Sequence, residues 1–145
     1  MLRGASATHL RKAQALNILF IEDDPMNRRV VRDMLDVAGA SMAEAASAEE
    51  GLAQIDAQDF DFVLVDLRMP GMDGFEAIGR IRARTDSKAG IPIVVVTADA
   101  AVDLKERCLK LGADEVLFKP VAMDQLFDAI GRILARRAGD DGIIG

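Results

Sequence analysis

Residues 62–74 read FVLVDLRMPGMDG. Phe62–Val65 is apolar throughout and bulky. Four such residues are too few for a helix but enough for a strand buried on both faces. The run stops at an acid, Asp66, and passes into a loop in which Met69 and Met72 flank Pro70. The two methionines are read as packing that loop. Asp73 then offers a side-chain cap for a helix carrying Phe75, Ile78 and Ile81 on one face.

The same unit repeats outward in both directions. Asn17–Ile21 (NILFI), Ile93–Val96 (IVVV) and Val116–Phe118 (VLF) are further short apolar runs, and Ser41–Ala45 is a weaker one. Between them lie helical patterns. Asp24-Pro25 is a start signal, with Val30, Val31, Met34, Leu35 and Ala38 forming one predicted buried stripe and Gly39 ending it. Ser47 and Glu50 make a capping box ahead of Leu52 and Ile55. Leu104, Cys108 and Leu111 mark a fourth helix, closed by Gly112. Met123, Leu126, Phe127, Ile130, Ile133 and Leu134 mark a fifth. Strand and helix thus alternate five times, which predicts an α/β fold with a doubly wound parallel sheet.

Composition sets the outer limits. The chain has 145 residues, fitting one domain, and half are hydrophobic with six Phe and no Tyr or Trp. Its core therefore consists mainly of aliphatic side chains. No apolar run approaches the ~20 residues of a membrane-spanning helix, and no secretory signal is evident. Cys108 stands alone, which excludes an internal disulfide, suits a reducing cytoplasm and fits a packed core thiol. A net charge of −6 argues against nucleic acid as a partner. Residues 1–16 are expected to form a flexible basic extension with Arg3, Arg11 and Lys12. That extension is either a solubilising addition or a partner-docking arm. The domain proper is expected to span 17–137, and 138–145 to be a flexible tail.

The chemistry lies where each strand ends. Asn17–Ile21 is followed by Glu22, Asp23 and Asp24, Phe62–Val65 by Asp66, Ile93–Val96 by Thr97 and Val116–Phe118 by Lys119. In an open parallel sheet these ends share one rim, where ligands bind. A polar residue at one strand end is ordinary; four chemically matched ones are not. Gathered carboxylates repel one another until a cation arrives, and hard oxygen ligands suit Mg²⁺. A metal, an ammonium and a hydroxyl together fit the oxygens of a transferring phosphoryl group, and an aspartate can serve as its covalent acceptor. Asp24 is accounted for by its capping role alone. His9 is the sole histidine and precedes the first strand, so the chain offers no phosphohistidine donor of its own.

The stretches ILFIEDDPMNR, VLVDLRMPGMDG, VVVTADA and GADEVLFKP closely resemble the motifs of the response-regulator receiver family. The resemblance covers about residues 17–137. It implies a flavodoxin-like five-stranded sheet of order 2-1-3-4-5 with five helices. It implies Mg²⁺-dependent phosphorylation of Asp66 by a histidine kinase or a histidine phosphotransfer protein, and a change in partner binding. Asp23, Asp66 and the Arg68 backbone carbonyl would be direct metal ligands, with Glu22 acting through water. Thr97 and Lys119 would contact the phosphoryl group, and the Lys119–Pro120 bond would be cis. A downstream protein would dock on the face formed by the fourth helix, fifth strand and fifth helix, flanked by Val102–Leu111 and Met123–Arg137.

Two positions stand out against the pattern. Val116 occupies a place often held by a switching aromatic, and Arg68 a place where the family varies. Two alternatives accompany the main reading. One is a receiver-like interaction module that is not phosphorylated, for which Val116 speaks and the intact carboxylate cluster speaks against. The other is an aspartyl-phosphate phosphohydrolase, which would usually carry a general-acid Asp where Arg68 stands. Both a stand-alone regulator and a receiver belonging to a larger kinase fit the sequence.

Overall fold

A computed structural model describes residues 16–144, with side chains to residue 138. The basic segment with Arg3, His9, Arg11 and Lys12 lies outside the described residues. The elements in chain order are β1 (Asn17–Ile21), α1 (Pro25–Val37), β2 (Ser41–Ala45), α2 (Ala48–Ala57), β3 (Phe62–Asp66), α3 (Gly74–Arg82), β4 (Ile93–Thr97), α4 (Leu104–Leu111), β5 (Glu115–Phe118) and α5 (Met123–Ile144). The sheet is parallel, with the order β2-β1-β3-β4-β5.

Each strand divides its side chains between two cores, because successive residues point to opposite faces. Leu19, Ile21, Val63, Val65, Ile93, Val95 and Val116 pack against α2, α3 and α4. Ile18, Phe20, Phe62, Leu64, Val94, Val96 and Leu117 pack against α1 and α5. Phe62–Asp66 and Ile93–Thr97 are buried along their whole length, as expected of central strands covered by helices on both sides.

The local signals act as the residues suggest. Asp24 accepts from Met26 N at 2.9 Å, Ser47 Oγ from Glu50 N at 3.1 Å and Asp73 from Glu76 N at 2.9 Å. Glu50 departs from the reciprocal capping box: its carboxylate accepts from Ala46 N at 2.7 Å, one residue before the cap. Gly112 ends α4 at φ 112, where an L side chain is strained and a Cβ would lie 2.9 Å from Arg82 Cγ. Arg82, only a fifth exposed, fastens this region by donating to the carbonyls of Gly112, Ala89 and Ile91 and to Asp114.

Several expectations need correction. Leu16 belongs to the folded unit: its carbonyl accepts from Ser41 N at 2.8 Å and its side chain packs on the α1–α5 core. The helix α5 continues to Ile144. Val30 (42% exposed) and Leu111 (37%) lie at the edges of their stripes rather than in the core. A 3₁₀ turn at Ser87–Gly90, unforeseen in the sequence, leads into β4.

Candidate functional site

β1 lies between β2 and β3 in the sheet, and the helices after β1 and β3 leave toward opposite faces. That divergence opens a crevice at the carboxyl ends of these two strands. Glu22 and Asp23 enter it from β1, and Asp66 enters it as the last residue of β3. Glu22 is fully buried, Asp66 nearly so, and Asp23 is exposed at the mouth. One carboxylate oxygen from each of the three lies within 4.8 Å of the others.

Lys119, carried in from the end of β5, is the cluster's cation. Its Nζ is 2.7 Å from Glu22 Oε1 and 3.4 Å from Asp66 Oδ2. The Glu22 contact is a charge contact without the angle of a hydrogen bond, which leaves that buried oxygen without a directed donor. Glu22 Oε2 accepts from Asp24 N at 3.3 Å, and Asp66 Oδ1 accepts from Arg68 N at 3.3 Å. Burial raises the Glu22 carboxyl above its ordinary range, opposed by Lys119 and reinforced by Asp66. Asp23, though exposed, is also raised, first by partial desolvation and then by Glu22. For Lys119, burial pulls downward but Glu22 and Asp66 outweigh it, so its ammonium is held more firmly than usual.

These residues fit a divalent cation. Three carboxylates and one ammonium leave a formal charge of −2. Oxygens bound about 2.1 Å from an octahedral Mg²⁺ sit about 3 Å apart when adjacent and about 4.2 Å when opposite. The three carboxylate oxygens, all within 4.8 Å of one another, are gathered on that scale. Glu22 Oε1, buried and lacking a directed donor, is an acceptor available to a metal-bound water.

The hydroxyl arrives from the other neighbour of β3. Thr97 closes β4, fully buried, one step beyond the Asp66–Val96 pair. Its Oγ1 accepts from Asp99 N at 3.1 Å, and its carbonyl accepts from Lys119 N at 2.8 Å. The hydroxyl proton is thus left to donate. The Lys119–Pro120 bond is cis. The structure therefore brings together at one rim Glu22, Asp23, Asp66, Thr97 and Lys119, all the side chains singled out in the sequence. Arg68 differs: its guanidinium turns outward, 74% exposed, and pairs with Asp99 across the loops after β3 and β4. Val116 is buried among Val95, Leu104, Cys108 and Ala113, while Phe118 is 40% exposed. Burial raises the Cys108 thiol, consistent with a packed residue.

Gly74 is a site residue that sequence reasoning misses. A Cβ there would lie 2.4 Å from the Asp66 carbonyl oxygen and 2.7 Å from Leu67 Cα. Gly74 N also donates to Leu67 O at 3.0 Å. The absence of a side chain lets the start of α3 lie directly against the backbone of Asp66. The adjacent Asp73-Gly74 pair is the only signal in the sequence, and a helix cap accounts for it equally well.

The chain matches the response regulator receiver domain over residues 18–131. It is 33% identical over 138 residues to the virulence sensor protein BvgS of Bordetella bronchiseptica, covering 92% of this chain and 11% of that protein. Among solved structures it is similar to a putative response regulator from Chloroflexus aurantiacus J-10-fl, with a TM-score of 0.79, 30% identity, and coverage of 84% of this chain and 99% of that one. It is also similar to the receiver domain of the sensor histidine kinase PA1611 from Pseudomonas aeruginosa PAO1, which holds a magnesium ion in its active site cleft. There the TM-score is 0.74 and the identity 31%, covering 81% and 96% of the two chains. The chain spans about a tenth of the length of the curated relatives it matches.

Proposed function

Because this chain belongs to the response regulator receiver family, we propose that Asp66 is the residue that accepts its phosphoryl group. Receivers of this kind are signalling phosphoacceptors rather than turnover enzymes, and they bind Mg²⁺ in an acidic pocket. One observation carries the assignment. Asp66 is a buried carboxylate at the switch point of the sheet, 3.4 Å from Lys119 and grouped with Glu22 and Asp23.

The donor is a phosphohistidine on a histidine kinase or a histidine phosphotransfer protein. An Asp66 carboxylate oxygen attacks phosphorus in line with the P–N bond. The new P–O bond forms as the P–N bond breaks, and the electron pair leaves with the imidazole nitrogen. Lys119 turns its ammonium from the carboxylates toward the phosphoryl oxygens, and Thr97 donates its hydroxyl proton to one of them. Asp23, Asp66 and the Arg68 carbonyl would hold Mg²⁺ directly, with Glu22 acting through water. When bound, the ion neutralises charge shared by the carboxylates and the phosphoryl oxygens. Water later attacks the same phosphorus, returning Asp66 and releasing phosphate.

The receiver unit is assigned to residues 17–137, with Leu16 sealing its edge, and its setting is cytoplasmic. Among the described residues no helix is long and apolar enough to cross a membrane. The downstream partner docks on the α4–β5–α5 face. That reading is supported by its exposed apolar side chains Val102, Leu109, Leu111, Phe118 and Met123. Incubation with a phosphohistidine donor and Mg²⁺ is expected to label the wild type and leave Asp66→Asn unlabelled. Equal labelling of the two would overturn the assignment.

A further inference from the structure

The turn that delivers Glu22 and Asp23 is held from two sides by groups that never enter the crevice. Glu22 N donates to Ala45 O at 2.9 Å, tying the turn to the end of β2. On the other side Arg28, on the first full turn of α1, donates from NH1 to the Glu22 carbonyl at 2.6 Å. The same guanidinium donates from Nε to Glu44 Oε1 on β2 at 2.7 Å, and its side chain is only 15% exposed. Glu44 also pairs with Arg32, one helical turn further on.

We propose that Arg28 is a positioning residue for the metal site: it fixes the peptide plane between Glu22 and Asp23, and Glu44 fixes Arg28. This rests on the reading of the crevice as a Mg²⁺ site. The Glu22 carbonyl belongs to the peptide whose nitrogen is Asp23's. Holding that carbonyl therefore restricts the backbone from which the Asp23 carboxylate extends. Asp23 is the exposed member of the cluster, so no surrounding core orients it in place of this contact. Without Arg28 the peptide gains freedom that metal binding must then remove, at an entropic cost. The fork of a guanidinium can span two acceptors at once, which an ammonium at the same place does less well. Glu44 is fitted to anchor it, because Arg28 foremost, with Arg32, holds its carboxyl below the usual range and so ionised at neutral pH.

Arg32 provides an internal control. It shares the helix and the Glu44 partner but makes no contact with the Glu22 carbonyl. The test is Mg²⁺ titration by calorimetry on wild type, Arg28→Ala, Arg32→Ala and Glu44→Ala, with thermal midpoints taken without metal to establish folding. Groups that orient metal ligands are worth about 10–100-fold in affinity. Arg28→Ala is expected to bind Mg²⁺ about tenfold more weakly, with Arg32→Ala unchanged and Glu44→Ala intermediate. Amide exchange at Asp23 and Asp24 should quicken in Arg28→Ala and not in Arg32→Ala. If Arg28→Ala does not fold, Glu44→Ala decides the matter, because it keeps Arg28 but removes its anchor. Wild-type affinity in Arg28→Ala, or in Glu44→Ala where that variant decides, overturns the proposal; so does an equal loss in Arg32→Ala. Failure of the wild type itself to bind Mg²⁺ overturns instead the reading of the crevice as a metal site.

Discussion

Glu22 and Asp66 are carboxylates kept almost entirely from water, which is costly for a charge unless it is paired. Lys119 pairs with both, yet the cluster still has more negative charge than one ammonium can balance. The strand-end acids are legible in the sequence, because a carboxylate closing an apolar strand gains chemical meaning once four strands end in matched groups. Arg28 and Gly74 are not legible in this way. One acts by donating to a backbone carbonyl and the other by lacking a side chain, and neither leaves a pattern of residue types. Gly74→Ala places a carbon 2.4 Å from the Asp66 carbonyl oxygen, where only a backbone shift relieves the clash. The expected cost is about 1–3 kcal/mol or more in urea unfolding, with weaker phosphorylation of Asp66. An unfolding midpoint equal to wild type would show that α3 moves away freely.

The pairing of β5 with α5 depends on charge as well as apolar contact. Glu115, at the start of β5, meets Arg132 at 3.1 Å and Arg136 at 3.0 Å on α5. Burial pushes its carboxyl upward, but the two guanidinium groups outweigh burial and leave it below the usual range. A carboxyl lowered in the folded state contributes stability that is present above its unfolded value, about 4.3, and is lost as pH falls through the folded value. Wild-type stability is therefore expected to fall more steeply than that of Glu115→Gln as the solution is acidified below about pH 5. Urea midpoints measured across that range test this, and parallel curves would refute it. The pair is not legible in the sequence. Arg132 lies seventeen positions after Glu115, and only the packing of α5 back along β5 brings them together.

For the molecule as a whole, the crevice and the fold are thermodynamically linked. A ligand that binds only the folded state stabilises it by mass action, about 2.7 kcal/mol at a hundred times its dissociation constant. Saturating Mg²⁺ should therefore raise the thermal midpoint. Partial desolvation at the mouth of the crevice, with the neighbouring Glu22, raises the exposed Asp23 carboxyl, so without metal its charge opposes folding slightly, by an amount that solvent screens. Asp23→Asn is accordingly expected to melt slightly higher than wild type in metal-free buffer, and to lose most of the Mg²⁺ response. A variant whose midpoint still climbs with Mg²⁺ as the wild type does would place the ion elsewhere.

The sequence by itself determined the order of elements, the two-faced burial of the strands, the helix caps and the five side chains at the rim. These follow from local rules: period, length, and the residue types that begin and end elements. Tertiary structure alone decided the rest. It packed Leu16 against the core, carried α5 to Ile144 and turned Arg68 outward to Asp99. It set Arg28 on the Glu22 carbonyl and pressed Gly74 against Asp66. Each of these is a contact between distant segments or with a backbone atom, and backbone atoms are identical at every position along a chain. Asp66 was therefore readable as the proposed acceptor from its place at the end of an apolar strand, whereas the surroundings that fix its geometry became visible only once the chain had folded.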